Sequence, residues 1–273
     1  MHITKMHGLG NDFIVLEETE VCGQDIPSLA RRLCVRRLGV GADGLLIVGE
    51  SDRADVRMRI INSDGSEAEM CGNGIRCFAR YVYDKGIVTT QEMSVETLAG
   101  VMRPELVLEG GSVKAVCVDM GKPSFEPEEI PVTAKDPLDF TVYTSRGSLK
   151  AASVLMGVPH TVILVDNVGS FDVDAYGPEV EANECFPRRT NVDFVQLLGD
   201  GRSVRMETWE RGAGRTLACG TGATATGIVL YRKGLCGKET DIHVSAGTLH
   251  IENMSDGRAF MTGPAAYVFS GEV

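Results

Sequence analysis

Asn62-Ser-Asp-Gly-Ser-Glu-Ala-Glu-Met-Cys71-Gly72-Asn73-Gly74-Ile-Arg-Cys77 and Glu210-Arg211-Gly-Ala-Gly-Arg-Thr-Leu-Ala-Cys219-Gly220-Thr221-Gly222-Ala223 are two copies of one pattern, 148 positions apart. At the same shift Val56-Arg57-Met58 falls on Val204-Arg205-Met206, and Tyr83, Lys85 and Gly86 fall on Tyr231, Lys233 and Gly234. Nine identities at one unbroken shift across residues 56–86 are a poor candidate for chance. A repeat this long, present only twice, describes two similar domains rather than a solenoid.

Fainter echoes extend it at slightly different shifts. Asp43, in Val40-Gly-Ala-Asp43-Gly44-Leu-Leu-Ile47, resembles Asp193 in Asn191-Val-Asp193-Phe-Val-Gln-Leu197. Ile14-Val15-Leu16 resembles Ile163-Leu164-Val165, which brings Asn11 into register with His160, and Ala99-Gly100 resembles Ala246-Gly247.

Each half reads as short strands around one clear helix. Asp55–Ile61 and Ser203–Trp209 alternate or run apolar, as strands do. A helix follows each cysteine. In the first, Ile75, Phe78, Ala79 and Val82 form an i, i+3, i+4, i+7 stripe. The second carries no charge from Gly220 until Arg232, which predicts nearly complete burial. Both end at Lys-Gly, a C-terminal cation followed by a left-handed glycine cap. The expected fold is α/β of the α+β kind. It has two pseudo-symmetric domains, each a curved, mostly antiparallel or mixed sheet wrapped around its central helix. The expected division is residues 1–118 plus 263–273 against 119–262, with the chain after Gly263-Pro264 crossing back to the first half.

Composition narrows the class. With 273 residues, 43% hydrophobic and 24% charged, the chain is an ordinary globular protein. A formal net charge of −11 argues against nucleic acid and anionic membranes as partners, since both demand a basic surface. No segment reads as a signal peptide or a membrane span, so a cytoplasmic location is expected. The eight cysteines include no Cys-x-x-Cys pair. Outside positions 71 and 219, the expectation is a reduced, buried, small hydrophobe.

Cys71 and Cys219 differ because each stands at the mouth of a helix, followed by Gly-x-Gly. A helix N-terminus presents unpaired N–H groups and a positive dipole end, which bind anions and lower a thiol's pKa. Each half therefore offers an easily ionised thiol beside a carboxylate cradle. A thiolate and a thiol on opposite faces of one α-carbon invert a stereocentre without a cofactor, one removing a proton and the other supplying one. His160 has no spaced partner for zinc, and no metal site is expected.

The two long segments resemble the signatures of the diaminopimelate epimerase family. So do Lys5-Met-His-Gly-Leu-Gly-Asn11-Asp-Phe13, Gly157-Val158-Pro159-His160 and Arg189-Thr-Asn191-Val192, and the likeness covers essentially the whole chain. It implies cofactor-independent interconversion of LL- and meso-2,6-diaminopimelate, a diamino-dicarboxylate, with the site in the cleft between the domains of a homodimer subunit. It implies Cys71 and Cys219 as the acid–base pair, with His160 and Glu210 tuning the thiols. It further implies substrate contacts from Asn11, Asn62, Asn191, Glu210 and Arg211, and from the helix starts Gly72-Asn73 and Gly220-Thr221. Arg211 offers a two-pronged donor for the distal carboxylate, and Glu210 an acceptor for an ammonium. Glu210-Arg211 falls on Asn62-Ser63 in the repeat, so the halves differ where a substrate must be held one way round.

The chain departs from the family's pattern at Val158, which replaces the usual Asn, and at Gly44, where some members carry Gln. One lost hydrogen bond to a charged group costs about 1.5–3 kcal/mol unless water replaces it. Two rivals remain: Val158 supports a racemase of the same architecture acting on another amino acid such as histidine, and the pair of thiols supports a non-catalytic redox sensor or ligand binder.

Overall fold

The computed structural model describes residues 1–273, which divide into two compact units, Met1–Asp119 with Thr262–Val273, and Met120–Met261. The chain of the first unit runs β1 (His2–Gly8), β2 (Asn11–Glu17), α1 (Ile26–Leu33), β3 (Gly44–Gly49), β4 (Val56–Asn62), β5 (Glu67–Ala68), α2 (Gly72–Asp84), β6 (Val95–Thr97), β7 (Gly100–Met102), β8 (Glu105–Glu109) and β9 (Ser112–Gly121). The second unit holds β10 (Phe140–Thr144), β11 (Gly147–Met156), β12 (Val158–Leu164), α3 (Val173–Glu181), β13 (Asn191–Leu197), β14 (Ser203–Glu210), β15 (Gly214–Thr216), α4 (Gly220–Arg232), β16 (Glu239–Val244), β17 (Gly247–Asn253) and β18 (Ala259–Gly263). The last strand, β19 (Ala266–Glu272), belongs to the first unit and pairs antiparallel with β1.

The sheet of the first unit is mixed, in the order β19-β1-β2-β3-β4-β6-β7, with β5 on β4. Its parallel steps are β2 to β3 and β4 to β6. Residues Phe13–Leu16 and Leu45–Val48 are buried without interruption, because both faces of the sheet are covered. On one face α2 packs across β1 to β4, and its stripe of Ile75, Phe78, Ala79 and Val82 is wholly inaccessible. On the other, Leu29, Ala30 and Leu33 of α1 join Ile3, Ile14, Leu16, Leu45 and Ile47. Strand alternation sorts neighbouring residues between the two layers, which is why these strands read as apolar runs rather than as alternating patterns.

The second unit repeats this plan. Its sheet runs β10-β11-β12-β13-β14-β16-β17-β18 with β15 on β14, and its parallel steps are β12 to β13 and β14 to β16. The helix α4 packs on β11, β12, β13, β16 and β17, and it is buried from Gly220 to Leu230 apart from Thr221. Both central helices end as the Lys-Gly signal predicts. Lys85 and Lys233 are the C-caps, and Gly86 and Gly234 follow at φ of 70° and 67°. The two sheet-rich α+β units match the fold class expected from the repeat.

One expectation needs correction: each unit has a second helix. In α1 a proline near the start of an eight-residue segment reads locally as a turn, yet Pro is tolerated in a first helical turn. In α3 the pair Gly177-Pro178 conceals the helix. Gly177 is needed there, since a Cβ at that position would lie 2.5 Å from Trp209 Cδ2. The cysteines also depart in part from the expected pattern. Cys34, Cys77 and Cys236 are buried, Cys117 and Cys185 half-buried, and Cys22 exposed.

Candidate active site

Cys71 is the N-cap of α2, in extended backbone geometry, and the Gly74 N–H donates to its Sγ at 3.4 Å. Its thiol donates to Asn11 Oδ1 at 3.6 Å, and Asn73 Nδ2 donates to the same oxygen at 3.3 Å. Asn11 is aimed by Asp43, whose Oδ2 accepts from Asn11 Nδ2 at 2.7 Å. Behind that pair lies an ion network: Arg36 reaches both Asp43 (2.9 Å) and Asp12 (2.7 Å), and the buried Lys5 pairs with Asp12 at 2.7 Å. Asn62, at the end of β4, donates to Ser66 Oγ at 3.0 Å across the loop that leads into β5.

In the second unit Cys219 is the N-cap of α4 and is 6% exposed. Its Sγ lies 3.3 Å from Thr221 Oγ1, and Thr221 Oγ1 lies 2.9 Å from His160 Nε2. His160 Nδ1 meets Asp193 Oδ2 at 2.8 Å, and Thr208 Oγ1 donates to Asp193 Oδ1 at 2.8 Å. His160 and Asp193 are both wholly inaccessible. Glu210, at the end of β14, accepts from Thr216 Oγ1 at 2.6 Å on the neighbouring β15. Asn191 has both ends of its amide engaged: Nδ2 donates to the Pro159 carbonyl at 3.0 Å and Oδ1 accepts from the Arg211 N–H at 2.8 Å. It therefore ties the start of β12 to the Glu210-Arg211 turn. Arg211 donates from Nη1 to the Arg188 carbonyl at 3.0 Å and is otherwise exposed.

The two clusters share one construction. Asn11 and His160, Asp43 and Asp193, Asn73 and Thr221, and Cys71 and Cys219 occupy matching places in the repeat, and they differ in where the cysteine joins: Cys71 bonds Asn11, whereas Cys219 meets Thr221. The carboxylate holds the side chain from β2 or β12, and that side chain meets the second residue of the central helix. The register echoes at Asp43 and Asp193 signalled these carboxylates, but a sequence gives no reason to assign them a task. Thr208, Thr216 and Ser66 carry no signal of their own, because a hydroxyl in a loop or strand is commonplace.

Electrostatics correct the expectation of an easily ionised thiol at Cys219. Burial, with the Glu210 and Asp193 carboxylates beside it, holds the Cys219 thiol well above the ordinary range, against hydrogen bonding with the Thr221 hydroxyl and the Gly222 N–H. Here desolvation and like charge outweigh the helix terminus. Burial likewise raises the Glu210 carboxyl, opposed by the Thr216 hydroxyl and by His160. Cys77 and Cys34, pushed up by burial to about 12 and about 11, are protonated packing residues.

The glycines have specific causes. A Cβ on Gly222 would lie 2.5 Å from Asp193 Oδ1, so the helix start fits against the carboxylate only without a side chain. At Gly74 the nearest contact would be 3.3 Å, to Leu46. Gly44 explains one departure from the family pattern: a Cβ there would lie 2.6 Å from the Ile61 carbonyl oxygen, and this backbone admits no Gln. Val158 is 36% exposed at the start of β12. No group of three or more His, Cys, Asp or Glu side chains is arranged to hold a metal ion.

The family profile of diaminopimelate epimerase matches residues 3–126 and 152–268. The chain belongs to the diaminopimelate epimerase family. It is an isomerase, an epimerase by class. Diaminopimelate epimerase from Moorella thermoacetica is 50% identical, covering 100% of this chain and 99% of that one. Diaminopimelate epimerase from Caldanaerobacter subterraneus subsp. tengcongensis is 48% identical, covering 100% and 99%. Among solved structures, the fold is shared with a phenazine biosynthesis protein of the PhzF family from Bacillus anthracis, with a TM-score of 0.72 at 14% identity and coverage of 100% and 98%. It is shared also with a hydroxyproline epimerase from Agrobacterium vitis, with a TM-score of 0.70 at 18% identity and coverage of 99% and 91%. No helix is long and apolar enough to cross a membrane.

Proposed function

We propose that this epimerase interconverts LL- and meso-2,6-diaminopimelate by a two-base mechanism, with Cys71 and Cys219 as the acid–base pair and no cofactor. The observation that carries the reading is that each unit places one cysteine at the N-cap of its central helix, with a carboxylate-held side chain from a strand bonded to the second residue of that helix. One sulfur, as thiolate, removes the α-proton. The electron pair left on carbon spreads into the α-carboxylate, and the other sulfur, as thiol, delivers its proton to the opposite face. One proton is taken and one given, so the two thiols end with their protonation states exchanged, ready for the reverse reaction.

Charge develops on the α-carboxylate during this step. The helix starts Gly72-Asn73 and Gly220-Thr221 present N–H groups and a positive dipole end suited to it, and donors already in place need no reorganisation. Asn11 and Asn62 on one side, and Asn191, Glu210 and Arg211 on the other, are assigned to binding, with Arg211 on the distal carboxylate and Glu210 on an ammonium. Asn191 would act largely by holding the Arg211 turn, since both ends of its amide are engaged. His160 and Glu210 are assigned to tuning the thiols.

The reaction supplies meso-diaminopimelate for lysine and peptidoglycan synthesis, and we assign it to a cytoplasmic homodimer. The test is an assay of purified, reduced protein with LL-diaminopimelate and a panel of other amino acids. Formation of the meso isomer is expected. Rapid racemisation of histidine or another amino acid, with diaminopimelate inert, would overturn the substrate.

A further inference from the structure

The side chain of Thr221 stands between a buried imidazole and a buried thiol, with Oγ1 at 2.9 Å from His160 Nε2 and 3.3 Å from Cys219 Sγ. A threonine hydroxyl has one proton to give and lone pairs to receive others. Thr208 and His160 both address Asp193, which is wholly buried, and a carboxylate can only accept, so His160 Nδ1 carries a proton. In neutral His160 this leaves Nε2 as an acceptor, and the proton it accepts is that of Thr221. The hydroxyl, having given its proton to Nε2, meets Cys219 as an acceptor. The thiol proton then has two acceptors, Thr221 Oγ1 at 3.3 Å and the Glu210 carboxyl, to which Cys219 is also hydrogen-bonded, and only the first leads on to His160.

We propose that Thr221 is a proton conduit between Cys219 and His160, and that Asp193 is the positioning residue that fixes its direction. Two protons shift together. The thiol proton passes from Sγ to Thr221 Oγ1 as the hydroxyl proton passes from Oγ1 to His160 Nε2. Cys219 becomes a thiolate, His160 an imidazolium with both nitrogens protonated, and Thr221 is a hydroxyl before and after. In the reverse shift the imidazolium restores the thiol. No oxidant, metal or water is required.

The groups facing Cys219 make this shift meaningful. Glu210 of β14 and Asp193 of β13 bring negative charge to a buried sulfur, while His160 of β12 and the start of α4 are the positive or potentially positive groups nearby. A thiolate here needs the compensating imidazolium, and Thr221 is its hydrogen-bonded link to it. The first unit has no counterpart, because Asn11 and Asn73 take the places of His160 and Thr221, and an amide does not titrate. The relay therefore belongs to one cysteine only, and the two thiols reach their thiolate forms by different routes.

The proposal rests on the two-base reading, and its test separates the two. With ¹⁵N-histidine label, the His160 resonances, identified by their loss in His160→Asn, report tautomer and hydrogen bonding without any substrate. Protonation at Nδ1 and a hydrogen-bonded, unprotonated Nε2 are expected in the wild type. Thr221→Val should free Nε2 and Thr221→Ser should restore it. In epimerisation, Thr221→Val should lower kcat about 10²-fold with KM little changed, while Thr221→Ser stays within about threefold of wild type. Should Thr221→Val fail to fold, Thr221→Ala replaces it in both measurements. A proton on Nε2 in the wild type, an Nε2 signal indifferent to Thr221, or unchanged kcat without the hydroxyl would each overturn the relay. If wild type ignores diaminopimelate, the substrate reading fails while the spectra still decide the hydrogen-bonded chain.

Discussion

The imidazole of His160 and the carboxylate of Asp193 meet at 2.8 Å with neither exposed to solvent. Asn11 and Asp43 make the matching contact at 2.7 Å in the first unit, there with Asp43 open to solvent, and each pair leads to a residue on the first turn of a central helix. The duplicated chain thus conserved a device and changed its chemistry: an amide on one side, a titratable ring on the other. An enzyme that must treat two faces of a carbon differently gains from such an imbalance.

Removal of either thiol should stop catalysis without harming the fold. Cys71→Ala and Cys219→Ala are each expected to lose at least about 10²–10⁴ in kcat, the range for a general acid or base. Circular dichroism and thermal melting should stay close to wild type. Full activity in either variant would favour a binding or redox-sensing role.

The glycines at matching places should prove unequal. Gly222→Ala puts a methyl 2.5 Å from Asp193 Oδ1, and that carboxylate cannot yield without releasing Thr208 or His160. A loss of about 1–3 kcal/mol in stability is expected, with a larger loss in kcat. Gly74→Ala meets nothing nearer than Leu46 at 3.3 Å, with Cys71 Cβ at 3.4 Å and Phe13 at 3.5 Å, and should be the milder of the two. Chemical denaturation and steady-state rates on both variants check the order.

Acid stability should report on Asp12. Burial opposes ionisation there, but hydrogen bonds from Arg36 and Lys5 prevail and hold the carboxyl at about 2, below the ordinary 3.8. A depressed folded value contributes stability above the unfolded value and loses it as pH falls. Asp12→Asn also leaves the buried Lys5 without its counter-ion, so it should cost about 3 kcal/mol at pH 6. The gap to wild type should close between pH 4 and about 2. Denaturant titrations across that window measure it.

Glu210 should show the opposite sign. Burial raises its folded value above the ordinary 4.5, so the stability present below that value is lost as pH rises through the folded one. Glu210→Gln removes the buried charge and keeps an acceptor for Thr216. It should be more stable than wild type at pH 8, by roughly 0.5–2 kcal/mol, show no such gain at pH 4, and be a much poorer enzyme. Melting temperatures at the two pH values settle the sign.

The sequence made the central helices legible because a 3.6-residue stripe, a cysteine N-cap and a Lys-Gly stop agree with one another. It made the duplication legible because the identities fall around the cysteines. Helices α1 and α3 were hidden since Pro27 and the Gly177-Pro178 pair are local signals for turns, overruled here by packing against a sheet and against Trp209. The burden on Cys219 was also hidden. A helix N-terminus is visible in sequence, whereas two carboxylates brought beside the sulfur from β13 and β14 are a product of the fold.

Deuterium tracing tests the central claim most directly. Wild-type protein given LL-diaminopimelate in heavy water should form meso product that carries deuterium at the inverted carbon from the first turnovers, while unreacted substrate remains largely protiated. Two different monoprotic groups, one taking and one giving, produce that pattern. Early product that keeps its original hydrogen would mean a single base serving both faces, and would contradict the assignment of Cys71 and Cys219 as a pair.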